Sequence, residues 1–550
     1  MPDRFRRAER RWGRLALRER TREALVLAAL LVLAGALRAQ HWAREDVLFN
    51  DGPEFLRISK AMAARDWGAA LADNYHPLYS FATLATELAL PLPKDGYVSA
   101  AVLVSVVAGV ASVLCLYLFV RSAYGAEVAW LAALALAVHP YALRFSADVQ
   151  SDGLYLALFL AAVASLWVAL REGAPAVAGW AGAFSGLAYL TRPEGVGVAL
   201  VGSVMGTGLG ALRVLRGEES AIRWVRWLAA LGGACLLVMA PYLVSIRLET
   251  GAWHLTKKKS LERVAFLEEE RGVSPTSPPD VPQPSASAPP AVPAQEAAPS
   301  SSAPLETPAP SRGHSLFLGF LSNVGSTMRP EIVLLLLVGL YCCRGPLGLR
   351  GAFVLALLAS YGAVFLSQEL HYGYLSRRHV LPPLVLTFGY AAVGLPVLGS
   401  ALVSLGERLF RAKATPRPRL ALGLGLLCLL APSLGKELRP RDHGGLAERR
   451  AAEWLRAEGL APGAVAASKD RVAYYADAPF VPLRHAPDAG LVADLKARGA
   501  RYLIVEEDGA EGSRAAQRAR EGGLTLLHRV EAGGREAWVY ALPAPQGEGP

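Results

Sequence analysis

Apolar positions along this chain fall in long uninterrupted runs, not in the short periodic clusters of a soluble domain. Residues 98–120, 227–246 and 380–405 carry no charge at all. Each run, at 1.5 Å per helical residue, is long enough to cross a hydrocarbon core about 30 Å thick. Backbone polar groups in lipid are satisfied only inside helices or closed barrels, so such runs predict transmembrane helices. Eleven spans are predicted, near residues 24–40, 98–120, 126–143, 153–170, 175–190, 195–212, 227–246, 329–343, 351–367, 380–404 and 419–434.

Three polar stretches interrupt this pattern. In the first, 41–97, Phe55, Ile58 and Met62 recur at helical spacing with Arg57, Lys60 and Arg65 between them. Residues 54–67 therefore predict an amphipathic juxtamembrane helix on the bilayer surface. The second stretch, 248–328, contains residues 274–311, almost entirely Pro, Ser, Ala and Thr. Such a segment buries too little apolar surface to offset its ordering entropy and is expected to be disordered. The third, 436–550, predicts a helix over 447–457 and strands over 464–468, 501–505 and 537–542, with Lys496 and Arg498 closing a helix before the second strand. The expected fold class is an α-helical polytopic membrane protein of about eleven transmembrane helices with a small C-terminal α/β soluble domain. Its parts are a basic tail 1–23, a transmembrane domain 24–435 and the α/β domain 436–550.

Composition agrees: 53% of residues are hydrophobic and the mean hydropathy is +0.29. The net charge of +10 would suggest nucleic acid only if its distribution were ignored. Nine arginines lie between Arg4 and Arg22, directly before the first span. This excess sets the N-terminus in the cytoplasm. An odd number of spans then sets the C-terminal domain outside, as in a multi-pass protein of a cell inner membrane. Arg213, Arg216, Arg223 and Arg226, and likewise Arg408, Arg411, Lys413, Arg417 and Arg419, fall in loops on the cytoplasmic side by the same count. The five cysteines all fall within predicted spans, without metal-ligand spacing, and read as small packing residues.

Sorted by side, the ionisable residues at span ends gather on the outer face: Asp51, Glu54, His76, Asp148, Asp152, Arg192, Glu194, Lys257–Lys259, Arg377, Arg378 and His379. Ionisable groups at the membrane edge are candidates for function. Each also has a plainer reading. Asp51-Gly52-Pro53-Glu54 matches a helix N-terminus that Asp51 would cap, with proline in the first turn. Asp152 would likewise cap the fourth span. Arg192 would snorkel to headgroups, and Lys257–Lys259 would bind anionic lipid. Asp, Glu and His on one face are compatible with a divalent cation, but no spacing calls for one. No metal ligand and no other cofactor is assigned.

The order of these motifs resembles the GT-C superfamily of polyprenyl-phosphate-sugar glycosyltransferases, in the branch of protein O-mannosyltransferases and lipid A aminoarabinose transferases (glycosyltransferase family 39). The resemblance rests on Asn50-Asp51-Gly52-Pro53-Glu54 and Asn74-Tyr75-His76-Pro77-Leu78-Tyr79 after the first span. Ser151-Asp152, Thr191-Arg192-Pro193-Glu194-Gly195, Pro241-Tyr242, Thr250-Gly251-Ala252-Trp253 and Ser376-Arg377-Arg378-His379 follow in order. Members of this branch commonly carry adjacent Asp-Glu, whereas Asp51 is followed here by Gly52, so Asp51 is the match to the catalytic acid.

The resemblance implies a membrane glycosyltransferase that moves a sugar from a polyprenyl-phosphate donor to a hydroxyl of a lipid, polysaccharide or protein acceptor in the cell envelope, with inversion. Asp51 would be the general base, and Asp152 would orient the acceptor or help hold a metal. Arg192, Lys258, Arg377 and Arg378 would hold the donor phosphate, because guanidinium and ammonium groups pair with phosphate oxygens. Glu54, His76, Glu194 and His379 would line the acceptor side. The competing classes are a transporter or flippase of lipid-linked or small solutes and a silent membrane scaffold. A transporter calls for internal repeats and polar breaks at mid-membrane, and neither is evident.

Overall fold

The computed structural model describes residues 2–72, 74–90, 96–257, 312–344, 348–372, 375–409, 418–437, 444–460, 463–483, 491–506 and 509–543. Segment 274–311 and Lys258 lie outside the described residues. The chain is a helical, polytopic membrane protein with a small C-terminal sheet domain. Eight described helices are long and apolar enough to cross a bilayer, nine if the bent pair Phe317–Met328 and Pro330–Cys342 counts as one span.

This count is lower than eleven for a local reason. Three predicted spans fold as short helices, Ala126–Val138, Pro175–Tyr189 and Pro330–Cys342, of 13, 15 and 13 residues. At 1.5 Å per residue these reach only about 20–23 Å. In each case an X-Pro step bounds the helix, where the residue before proline is pushed out of the α region. His139 before Pro140 is extended (φ −66°, ψ 118°), as is Ala174 before Pro175 (φ −93°, ψ 108°). Arg329 before Pro330 takes φ 71°, at the 90° bend. The run 380–404 is also divided, into Arg377–Val385 and Phe388–Leu409. Pro382 and Pro383 supply no N–H to continue the first helix.

The helices Gly96–Tyr124, Ala126–Val138 and Asp152–Glu172 contribute many fully buried side chains to one large apolar core. Close approach of backbones tightens the bundle. A methyl at Gly339 would overlap the Tyr390 carbonyl, and one at Gly394 the Leu335 carbonyl. Small residues at such crossings let membrane helices touch without a hydrophobic driving force.

On the polar edge of the bundle, the predicted amphipathic helix spans Gly52–Ala63. Its apolar face does not lie against lipid. Phe55 and Leu56 pack with Tyr79, Ala101 and Val149, and Ile58 and Met62 with Ala70 and Leu84. The pattern that marks an interfacial helix equally serves one that rests on protein.

The C-terminal domain opens with the helix Leu446–Ala457. Its strands are β1 (Ala464–Ala467), β2 (Phe480–Pro482), β3 (Ala500–Glu506), β4 (Thr525–Ala532) and β5 (Arg535–Ala541). They form one sheet in the order β2-β1-β3-β5-β4. β1 is parallel to both β2 and β3, and β5 is antiparallel to β3 and β4. Between β1 and β2 runs the helix Asp470–Ala476, whose Tyr474 and Tyr475 pack against the cluster of Leu48, Phe55 and Val149. The domain is thus seated on the segment that follows the first span.

Candidate active site

Asp51 stands at the head of the helix Gly52–Ala63, with proline in the first turn, yet its side chain makes no capping hydrogen bond. Capping residues normally adopt extended backbone angles, and Asp51 is helical (φ −82°, ψ −8°). Its carboxylate instead accepts a hydrogen bond from Arg378 Nη1 at 2.5 Å. Each of the two side chains is 19% exposed. The Arg378 guanidinium also lies 5.5 Å from the ring centre of Phe49. Gly52, the departure from adjacent Asp-Glu, has a steric reason here. A Cβ at this position would come within 3.3 Å of Val149 Cβ and 3.4 Å of its carbonyl oxygen.

A second ion-pair group forms from residues of three elements, one of them the helix that carries Arg378. Asp152, in the first turn of the helix Asp152–Glu172 and 6% exposed, receives a hydrogen bond from Arg192 Nη1. Arg192 Nε is 3.7 Å from Glu194 Oε2, and His379 Nε2 is 3.9 Å from Glu194 Oε1. Arg192 further lies over the Tyr155 ring at 5.7 Å, and Tyr361 Oη donates to the Glu194 carbonyl at 2.8 Å. Arg378 and His379 are neighbours, so the helix Arg377–Val385 touches both groups through consecutive residues.

Between them lies a cavity of about 210 Å³ lined by Asp51, His76, Arg192, Glu194, Arg378 and His379, among others. His76 is buried, its ring 5.0 Å from that of Tyr189 and 4.9 Å from that of Tyr242. Of the ten sequence candidates, then, six share this wall. Asp152 sits behind Arg192, and its neighbour Ser151 lines the cavity instead. The remaining candidates lie elsewhere. Arg377 donates to Ser326 Oγ at 3.2 Å and lies over Tyr141. Glu54 pairs with Arg57, which also pairs with Asp470 of the C-terminal domain. Lys258 lies outside the described residues; its neighbour Lys257 donates to the Leu71 carbonyl and to Glu249.

Gln368, from the helix Leu349–Tyr372, joins the wall without having been singled out in the sequence. A lone amide near the end of a span carries no local signal. Among the described residues no group of three or more His, Cys, Asp or Glu is placed to hold a metal ion. Asp51, Asp152 and Glu194 each face an arginine, an arrangement suited to receiving an anion that competes for those arginines.

The family model for dolichyl-phosphate-mannose-protein mannosyltransferases matches residues 80–244. No curated protein matches the chain. Among solved structures, ArnT from Cupriavidus metallidurans bound to undecaprenyl phosphate aligns with a TM-score of 0.53 at 14% identity, over 95% of this chain and 99% of that one. The Archaeoglobus fulgidus oligosaccharyltransferase in complex with Zn and sulfate aligns with a TM-score of 0.50 at 12% identity, over 87% of this chain and 67% of that one. At these identities the likeness is one of fold.

Behind the Asp51 segment, Asp148 sits in the loop before the helix Asp152–Glu172. Burial raises its carboxyl from 3.8 to about 6; the N–H groups of Val149 and Phe49 oppose the rise, and Glu45 adds to it. The folded value lies above the unfolded one, so the native state holds the proton more tightly. Ionising Asp148 therefore costs the folded state stability as pH rises from roughly 4 to 6. Thermal midpoints of the detergent-solubilised protein should fall more steeply across that window in the wild type than in Asp148→Asn. Parallel curves would contradict a buried carboxyl of raised pKa.

Proposed function

From a GT-C-type membrane fold with this cavity at its polar edge, we propose that the protein is a glycosyltransferase that moves a sugar from a polyprenyl-phosphate donor to an acceptor hydroxyl. The observation that carries the reading is the Asp51–Arg378 pair on the cavity wall. It brings a carboxylate for the proton and a guanidinium for the phosphate side by side. The donor class is supported by the family model's dolichyl-phosphate-mannose substrate and by the undecaprenyl phosphate bound in ArnT.

In this reading Asp51 accepts the proton of the acceptor hydroxyl as its oxygen attacks the anomeric carbon. The bond from that carbon to the phosphate oxygen breaks, and its electron pair leaves with the polyprenyl phosphate. The leaving group gains negative charge, so arginines aimed at it stabilise the transition state more than the ground state. Arg378 and Arg192 fill that role. One displacement by one base inverts the anomeric centre. Asp152 and Glu194 act as positioning residues that hold Arg192, and His379 braces Glu194. His76 and the wall beside it form the acceptor side. The arginine-rich start of the chain supports a cytoplasmic N-terminus and an outer-side C-terminal domain.

Two experiments test these assignments. Glu458 is exposed in the C-terminal domain. The cysteine of Glu458→Cys should react with a membrane-impermeant thiol reagent in intact spheroplasts; labelling only after lysis would reverse the orientation.

For the chemistry, cells lacking the protein should accumulate a polyprenyl-phosphate sugar that the wild-type protein clears. Asn caps helices as well as Asp does, so a capping Asp51 would tolerate Asp51→Asn. As the base it would not, and clearance should slow by roughly 10²- to 10⁴-fold. Undecaprenyl phosphate binding to the purified Asn variant should persist, whereas Arg378→Ala should weaken it. Near-normal clearance by Asp51→Asn would remove Asp51 from the mechanism. Absence of any accumulating lipid-linked sugar would remove the donor class.

A further inference from the structure

The segment between the first span and Asp51 is gripped by the C-terminal domain through its backbone. The Leu48 N–H donates to Tyr475 Oη at 2.8 Å. The Leu48 carbonyl accepts from Arg471 Nη1 at 3.2 Å. Arg471 and Tyr475 stand four residues apart on the helix Asp470–Ala476, hence on one face. Two further contacts flank this grip: Arg449 donates to the Asp46 carbonyl, and Asp470 pairs with Arg57 of the helix that begins just after Asp51.

The gripping side chains are themselves held. Arg471 Nη2 lies 3.7 Å from Glu448 Oε2, and that buried carboxylate also faces Lys469 at 3.8 Å and Ser468 Oγ at 3.3 Å. Gly445, at φ +86°, leaves the space that Arg471 occupies; a Cβ there would collide with the guanidinium. From Leu48 the chain reaches Asp51 in three residues, through a turn closed by Gly52 N–H on the Phe49 carbonyl at 2.9 Å. The Phe49 ring lies under Arg378. A shift of Leu48 therefore passes directly to Asp51, while Arg378 is anchored on its own helix.

We propose that the C-terminal α/β domain is a positioning element of the reaction, in which Tyr475 and Arg471 fix the Leu48 backbone and so set Asp51 against the cavity. The proposal rests on the reading of Asp51 as the base. It makes Tyr475 and Arg471 positioning residues, beyond the last span in sequence yet in direct contact with the segment that carries the acid. Misplacing a catalytic group by about 1 Å costs up to about 10²-fold in rate, so the loss of one such hold is expected to be large.

The test uses the full-length protein. Tyr475→Phe keeps the ring and removes the acceptor of the Leu48 N–H. Clearance of the accumulated polyprenyl-phosphate sugar should slow by about ten- to a hundredfold, while binding of undecaprenyl phosphate to the purified protein stays at the wild-type level. Arg471→Ala should behave alike, and Arg471→Lys, which retains a donor for the Leu48 carbonyl, should recover part of the loss. Because the effect runs through Asp51, adding Tyr475→Phe to Asp51→Asn should slow clearance no further. Wild-type clearance by Tyr475→Phe beside an impaired Asp51→Asn overturns the proposal alone. Additive losses in the double variant also overturn it, since Tyr475 would then act by another route. Wild-type clearance by Asp51→Asn overturns the base assignment and the proposal with it.

Discussion

A carboxylate and a guanidinium 327 residues apart in sequence meet at 2.5 Å on the wall of one cavity. Most of the surrounding structure exists to bring them there. Asp51 arrives on a short connection from the first span, and Arg378 on the first turn of a helix cut short by two prolines. Neither group is fully withdrawn from solvent, so the pair escapes the heavy desolvation cost of a deeply buried ion pair. Partial exposure also leaves Arg378 within reach of an anion, and in the proposed reaction the donor phosphate competes with Asp51 for it. Release of the carboxylate would then coincide with arrival of the donor.

The second ion-pair group follows different physics. Arg192 is shared between Asp152 and Glu194, with side chains 11%, 6% and 7% exposed. Removing one acid would leave the guanidinium its other partner, so this arginine is held by two acids at once. In the proposed reaction this arginine would keep its place as a lipid phosphate arrives and leaves.

How much of this could be read from the sequence depended on how local each signal was. The long spans were legible because burial in lipid demands unbroken apolar runs. Breaks inside a run were less so: His139-Pro140 ends a helix within the predicted span 126–143, and the run 380–404 divides after Val385. The pattern Asp51-Gly52-Pro53-Glu54 is the same for a cap and for a base. What sets Asp51 apart from a cap is a backbone angle and a partner across the fold, neither of which a local pattern records. Arg377 and Arg378 are indistinguishable as letters, yet consecutive helical side chains point about 100° apart, and only Arg378 lines the cavity. Glu54 was legible as an acid on the right face, but its partner Arg57 turns it toward the C-terminal domain. The grip on Leu48 left no sequence signature, because it acts on a peptide group that every residue has.

Central to the proposed reaction is one exchange, in which the donor phosphate takes Arg378 from Asp51. A structure of the protein with undecaprenyl phosphate bound, determined by electron cryomicroscopy, tests this most directly. The expected result is the phosphate in charge-assisted contact with Arg378 and the Asp51 carboxylate turned free toward the cavity. A phosphate seated away from both Arg378 and Arg192, with the Asp51–Arg378 contact unchanged, would contradict it.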